Sequence, residues 1–227
     1  HRVSASVGLL ARMETALVDA AIGPVLHTAL VADAIPDDAQ AIRSDGSLCP
    51  ADQLSASEAV LSGPAGGVIA VAALARTLNL PLAVGFDMGG TSTDVCVVRH
   101  GELPRRQGHV RVAGTHLSRP ILEVHTIAAG GGSVVHHDGV QLQVGPRSAG
   151  ADPGPQCYGR GGPPTVTDAA LADGRVDPTA FTPPLTPDAV DLPCPPTDAL
   201  ALAHEQMAQA IRDLGAERGE DVREAAL

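Results

Sequence analysis

A chain of 227 residues that is 44% hydrophobic can fill one sizeable core or two small ones, but only Phe86, Tyr158 and Phe181 supply rings, so that core must be aliphatic. A net charge of −11 with no arginine cluster gives no footprint for a phosphate backbone, and so few rings give no platform for stacked bases, so nucleic acid is not an expected partner. All 15 basic residues are arginine, which excludes a P-loop lysine, a Schiff-base lysine and a lysine general base and leaves backbone amides, metal or arginine to hold any phosphate.

In chain order, residues 4–28 carry Val7, Leu10, Met13 and Leu17 at helical spacing and predict two helical pieces broken near Gly23-Pro24. Residues 32–53 are punctuated by Pro36, Asp37-Asp38, Ser44-Asp45-Gly46-Ser47 and Pro50, and read as turns and loops. Residues 68–78 form an apolar run that predicts a helix buried nearly all round. Gly63 and the Gly66-Gly67 pair at its entry permit either close packing or the approach of a ligand. Next come two short apolar runs, 82–86 and 95–98, flanking Gly89-Gly90-Thr91-Ser92-Thr93, which predict a β-hairpin with Asp87 and Asp94 on either side of its tip. Glycine amides and hydroxyls suit an anion, and a carboxylate beside phosphate works through a divalent cation. Asp87 is the candidate for hydrated Mg²⁺, and Asp94 for orienting or deprotonating a nucleophile; the plainer alternative is a Gly-rich turn with solvated acids.

Beyond a turn at 99–104, strands are expected at 109–112 and 121–127, the latter running into Gly130-Gly131-Gly132. Ordering three glycines is entropically costly and needs a bound ligand or a crowded backbone crossing. Residues 134–137 and 140–144 bracket His137-Asp138-Gly139 as a second hairpin, on which His136 and His137 point to opposite faces. His125 is a candidate substrate group. Residues 145–164 hold scarcely an apolar anchor, and so long a loop is either disordered or functional; Arg147, Arg160 and Tyr158 make it a candidate lid or substrate clamp. A helix capped by Thr167 or Asp168 follows to about Leu171, then a Pro-rich acidic linker over 177–197 and an amphipathic helix over 198–214 with Leu200, Met207 and Ile211 on one side. Cys49, Cys96, Cys157 and Cys194 form no CxxC pair, and no leader or long apolar run is seen, so a reducing, cytoplasmic setting without membrane spanning is expected. The chain opens at His1 rather than Met, as a fragment or processed chain would.

Taken together, SGPAGGV, FDMGGTSTDV, EVHTIAAGGGSV, VGPRSAGADPGPQCYGRGG and PTVTDA, in that order, resemble the hydantoinase A / 5-oxoprolinase family, with a weaker match in MAQAIRDLGAERGEDVREAAL. The resemblance covers roughly residues 43–173. It implies an α/β, actin-like, sugar-kinase-like ATPase fold built on RNase-H-like lobes, of which this chain holds one, incompletely. Residues 1–60 would lead from a first lobe, 61–180 would form the second lobe's core, and 181–227 a Pro-rich linker and terminal helix. The resemblance also implies ATP and Mg²⁺ as cofactors, a cyclic amide of 5-oxoproline or hydantoin type as substrate, and a hydantoinase-B-like partner. ATP would phosphorylate the amide oxygen to make it an electrophile. On this reading Asp87 and Asp94 are catalytic, and Gly89, Gly90, Thr91, Ser92, Thr93, Gly66, Gly67, Gly130, Gly131 and Gly132 line the nucleotide. His125, Arg147 and Arg160 would face the substrate. The family's DxGGTFTD loop of the first lobe and its GGAGPxH segment are not in this sequence, so the alternatives are a partner-dependent or non-catalytic subunit, or a carboxylase subunit with a different acceptor.

Overall fold

The computed structural model describes residues 9–32, 35, 36, 38–106, 109–112 and 114–227, which form two compact units. The first comprises residues up to 85 together with 96–124 and 226, and the second 86–95 with 125–225 and 227.

The first unit opens with α1 (Leu9–Ala32), which runs through Pro24 instead of breaking there. Proline removes one helical N–H and crowds the preceding turn; here that turn is exposed, and the Thr28 hydroxyl donates to the Pro24 carbonyl at 2.9 Å. The leucine-bearing side of α1 faces outward, with Leu10, Met13 and Leu17 exposed. The opposite side is the anchored one: Thr15 is fully buried and accepts from the Ser118 amide at 3.0 Å, and Asp19 accepts from the Ser57 amide at 2.8 Å. Val7 lies outside the described residues. Residues 32–53, read as loop, contain a hairpin of β1 (Gln40–Ile42) and β2 (Leu48–Pro50), with Asp45 fastening the turn through the Ser47 amide and hydroxyl. The short α2 (Ala56–Ala59) carries a capping box between Ser55 and Glu58.

Helix α3 (Ser62–Thr77) begins six residues before the expected start, with Pro64 tolerated in its first turn. It is not buried all round: Ala65, Val68, Ala72 and Ala75 form its inner stripe, while Leu74 and Leu78 are exposed. That stripe packs on β3 (Leu82–Met88) and β4 (Thr93–Arg99) through Ala83, Cys96 and Val98. Small residues let helix and sheet approach closely, which is how a core almost without rings fills its volume. Strands β5 (Arg105–Arg106), β6 (His109–Val112), β7 (Thr115–Ser118) and β8 (Ile121–Leu122) complete the unit as the pairs β5–β8 and β6–β7. The single strand expected over 121–127 is thus two, β8 and β9 (His125–Ile127), and β9 pairs antiparallel with β4.

In the second unit, β10 (Ser133–His137) and β11 (Leu142–Ser148) form the expected hairpin, closed by Asp138, whose carboxylate accepts from the Val140 and Gln141 amides and the Gln143 side chain. Helices α4 (Val166–Ala172) and α5 (Pro196–Arg218) pack on it through Val135, Val144, Val166, Ala169, Leu200 and Ala203. The N-cap of α4 is Thr165, with Asp168 completing a capping box at the third helical position. The Pro-rich stretch between the helices is ordered by its own hydrogen bonds and by Leu185, which packs with Cys157 and Leu171.

Candidate functional site

The site is built from the tip of the β3–β4 hairpin. The Gly89 amide donates to the Ser92 carbonyl at 2.8 Å, which makes Gly90-Thr91 the two-residue loop and sets the register. Two steps back along each strand, Asp87 stands opposite Asp94, and a further two places Gly85 opposite Cys96, whose sulfur lies 2.6 Å from where a Gly85 Cβ would be. Across the next ladder Asp94 pairs with Thr126, whose hydroxyl donates to the Asp94 carboxylate at 2.6 Å. Asp87, Asp94 and Thr126 therefore form one row on one face of the sheet. Two carboxylates directly opposite each other repel unless a cation lies between them.

The Gly130-Gly131-Gly132 run explains how the tip is held. The Gly131 amide donates to the Gly89 carbonyl at 3.0 Å and the Gly132 amide to the Gly90 carbonyl at 2.6 Å. In a trans peptide the C=O and N–H point in opposite directions. Fixing those two carbonyls inward therefore turns the Gly90 and Thr91 N–H groups outward, where they have no partner among the described residues. Successive outward amides, with the exposed Thr91 hydroxyl beside them, are an arrangement whose chemistry suits an anion.

The glycine triplet itself offers no donor, since the Gly130 amide is taken by the Ser133 hydroxyl at 2.9 Å and the other two by the tip. Its need for glycine is one of space: a Cβ on Gly130 would stand 2.7 Å from the Gly89 carbonyl oxygen and 2.8 Å from the Ser92 nitrogen. Of the two alternatives the sequence leaves open, the crowded crossing is present. Thr93 is fully buried and donates to the Ala129 carbonyl at 2.5 Å, so its hydroxyl serves the same brace. Gly131 is anchored from behind, its carbonyl accepting from both the amide and hydroxyl of Thr167.

The remaining candidates lie elsewhere. Gly66 and Gly67 sit within α3 in the first unit. His125 shares a face with Val95 and Ile127, opposite in sense to Asp94, and lines a cavity of about 580 Å³ between β9, β11 and the Glu205–Asp213 stretch of α5. Arg147 is exposed on β11, and Arg160 stands 5.8 Å from the Tyr158 ring centroid. Sequence reasoning missed Thr126, Ser133 and Thr167. The two-residue loop does carry a signal for the carboxylate row, because counting back from Gly90-Thr91 pairs 87 with 94.

The donor set fits a magnesium–phosphate group. Among the described residues no cluster of three or more His, Cys, Asp or Glu side chains could cage a metal. Magnesium is commonly held by one or two carboxylates and completed by phosphate and water, which matches Asp87 and Asp94. Among the described residues, no helix is long and apolar enough to cross a membrane, and none of the four cysteines forms a disulfide.

The profile of the hydantoinase/oxoprolinase family matches residues 12–192. The chain is 41% identical over 187 residues to 5-oxoprolinase of Saccharomyces cerevisiae, a match covering 79% of this chain and 14% of that protein. It is 37% identical over 187 residues to caprolactamase subunit alpha of Pseudomonas jessenii, covering 77% of this chain and 26% of that one. Among solved structures, the ATP-dependent caprolactamase of Pseudomonas jessenii superposes with a TM-score of 0.67 at 30% identity, over 92% of this chain and 33% of that one. Nucleotide-free acetone carboxylase gives a TM-score of 0.67 at 25% identity, over 84% and 29%. The chain thus spans a small part of each relative.

Proposed function

Because this chain belongs to the hydantoinase/oxoprolinase family, we propose that it supplies one phosphate-binding half of the site at which a member of that family couples ATP to the opening of a small cyclic amide. The fold that carries this site is, on the same reading, a lobe of the actin-like ATPase type. The observation that carries the proposal is the hairpin tip, with its outward Gly90 and Thr91 amides and the facing Asp87 and Asp94 carboxylates. When bound, Mg²⁺ would offset the charge of the phosphates and the γ-phosphoryl group would activate the amide oxygen, a transfer that depends on positioning and charge stabilisation. Asp87 would hold the hydrated metal. Asp94, kept in place by Thr126, would orient a water or other nucleophile, and the two amides would hold the phosphate oxygens without help from lysine. Relatives whose names specify a 5-oxoproline or caprolactam ring support a lactam as the substrate class. The subunit name of the caprolactamase relative supports a second polypeptide beside this chain, and a hydantoinase-B-like one is the partner we propose.

The test is calorimetric titration of Mg-ATP into the chain, with ATP turnover measured in an assembled family enzyme carrying this segment. Asp87→Asn is expected to weaken Mg-ATP binding and to lower turnover by on the order of a hundredfold; unchanged binding and turnover would refute the reading. Likeness to acetone carboxylase supports a second reading, in which the same site serves a carboxylase and only the acceptor differs.

A further inference from the structure

We propose that the outward face of α1 is a surface on which a second copy of this chain docks, the two helices lying antiparallel about a two-fold axis near residues 18 and 19. The surface belongs to the first unit and shares no residue with the hairpin tip. It stands whether or not that tip binds ATP.

The first observation is that α1 is inside out. A surface helix ordinarily turns its apolar stripe to the core and its charges to water. Here Leu10, Met13, Leu17, Ala20, Pro24 and Thr28, spaced by three or four residues and so stacked along one side, are all exposed, Leu10 at 76% and Leu17 at 65%. Leu9 and Val25 widen the strip at its margins and are exposed as well. Its one hydroxyl, on Thr28, is turned back onto the Pro24 carbonyl. The ionisable side chains of the helix, Arg12, Glu14, Asp19 and His27, all lie off that line, and Asp19 is engaged by the Ser57 amide. An apolar strip left in water forgoes the burial that drives folding, and a contiguous one marks a place where another surface lies.

The second observation, the distribution of bulk, selects the occupant. Leu10, Met13 and Leu17 fill the N-terminal half of the strip, whereas Ala20, Ala21 and Pro24 follow in the C-terminal half. A second copy turned end for end lays the large half of each helix on the small half of the other, Leu17 over Ala20 and Met13 over Pro24. Large against small lets two helix surfaces interdigitate, and a two-fold contact repeats the fit on both sides of its axis. Parallel pairing would instead set leucine on leucine at one end and alanine on alanine at the other.

The third observation is charge. The chain carries a net charge of −11, so most of its surface repels a second copy, and a strip without ionisable groups is where two copies meet with least repulsion. The same balance disfavours an anionic lipid surface, which basic amphipathic helices seek. A helix of 24 residues is about 36 Å long and about 10 Å across, so the footprint on each copy is roughly 350 Å². That size places the contact among weak, transient interfaces and sets the concentrations at which it is tested.

Sedimentation velocity of the chain between about 5 and 500 μM is expected to show a shift from monomer to dimer. Added salt should not diminish it, because salt screens the repulsion between copies rather than an attraction. Leu17→Glu and, separately, Ala20→Arg should each weaken self-association at least tenfold. Mixed in equal amounts, the two variants should associate at least tenfold more tightly than either alone, since antiparallel pairing brings the new acid of one opposite the new base of the other. Both positions are exposed, and far-UV circular dichroism shows that each variant is folded. A chain that stays monomeric throughout that range, a folded Leu17→Glu variant that dimerises as the parent does, or a mixture no tighter than its components overturns the proposal. Pelleting with phosphatidylcholine vesicles in place of self-association assigns the strip to a lipid surface and overturns it likewise.

Discussion

At the residue scale, the carboxylates of the proposed phosphate site cost the hairpin tip stability. Asp87 and Asp94 face each other across the ladder, and like charges so placed are unfavourable by roughly 0.2–1 kcal/mol. Asp94→Asn should therefore raise the urea midpoint of the ligand-free chain slightly while weakening Mg-ATP binding, so that stability and affinity move in opposite directions. A substitution that lowers both would show that Asp94 serves packing. Gly130 makes the complementary case. Its missing side chain leaves room for the Gly89 carbonyl, and a Cβ at 2.7 Å from that oxygen, with the Ser92 backbone as close, cannot be relieved by rotating a side chain. Gly130→Ala is expected to cost about 1–3 kcal/mol, measured by urea unfolding, and to weaken Mg-ATP binding because the two outward amides lose their orientation. Gly90→Ala, where nothing lies within 4 Å of the added carbon, should leave stability nearly unchanged.

At the scale of elements, buried or half-buried carboxylates bind loops to helices. Asp168 gathers three backbone amides and a hydroxyl, so Asp168→Ala leaves several buried donors unpaired and should destabilise the second unit by roughly 3–5 kcal/mol in urea unfolding. Glu58 does similar work in the first unit. Burial opposes its charge, but hydrogen bonds from Ser55 and the nearby Arg119 and Arg43 outweigh that and hold its pKa below the ordinary value of 4.5. A lowered folded-state pKa gives stability that is present above 4.5 and lost as pH falls through the lower value. The urea midpoint should thus fall on acidification below pH 4.5, and Glu58→Gln should flatten that fall; an unchanged slope would remove Glu58 from the account. These two residues also mark the limit of sequence reading. The Thr165–Asp168 cap was legible as a helix start, displaced by two or three residues, whereas the bonds from Asp168 to Gln156 and Cys157 join segments about a dozen apart and leave no local pattern. The long loop offered the alternatives of disorder or function because its anchors are hydrogen bonds and glycine contacts rather than apolar side chains. The hairpin tip was legible because strand periodicity and turn chemistry are local. In α1 the same logic pointed the wrong way: Leu10, Met13 and Leu17 have helical spacing yet face outward, and the side that packs is held by hydrogen bonds to Thr15 and Asp19.

At the scale of the whole molecule, the consequence of an almost ring-free composition is that small residues do the packing, and cysteine is used as one of them. Cys49, Cys96 and Cys157 are buried, Cys96 against Gly85 and the α3 stripe, Cys157 with Leu171 and Leu185, and none forms a disulfide. The Cys157 thiol is pushed up to about 12 by burial and by the neighbouring Asp168 carboxylate, so at neutral pH it carries almost no thiolate, the form that reacts. Cys194 is also raised, by burial and then by Asp198, but it is only half-buried. Alkylation of the native chain with iodoacetamide at pH 8 should therefore label Cys194 first, with the other three protected until denaturant opens the core in which each one sits. Peptide mapping of the labelled sites gives the order directly. Fast labelling of Cys157 in the folded chain would mean that the turn Gln156–Tyr158 opens readily and that the hydrogen bonds from Gln156 and Cys157 to Asp168 do not hold it shut.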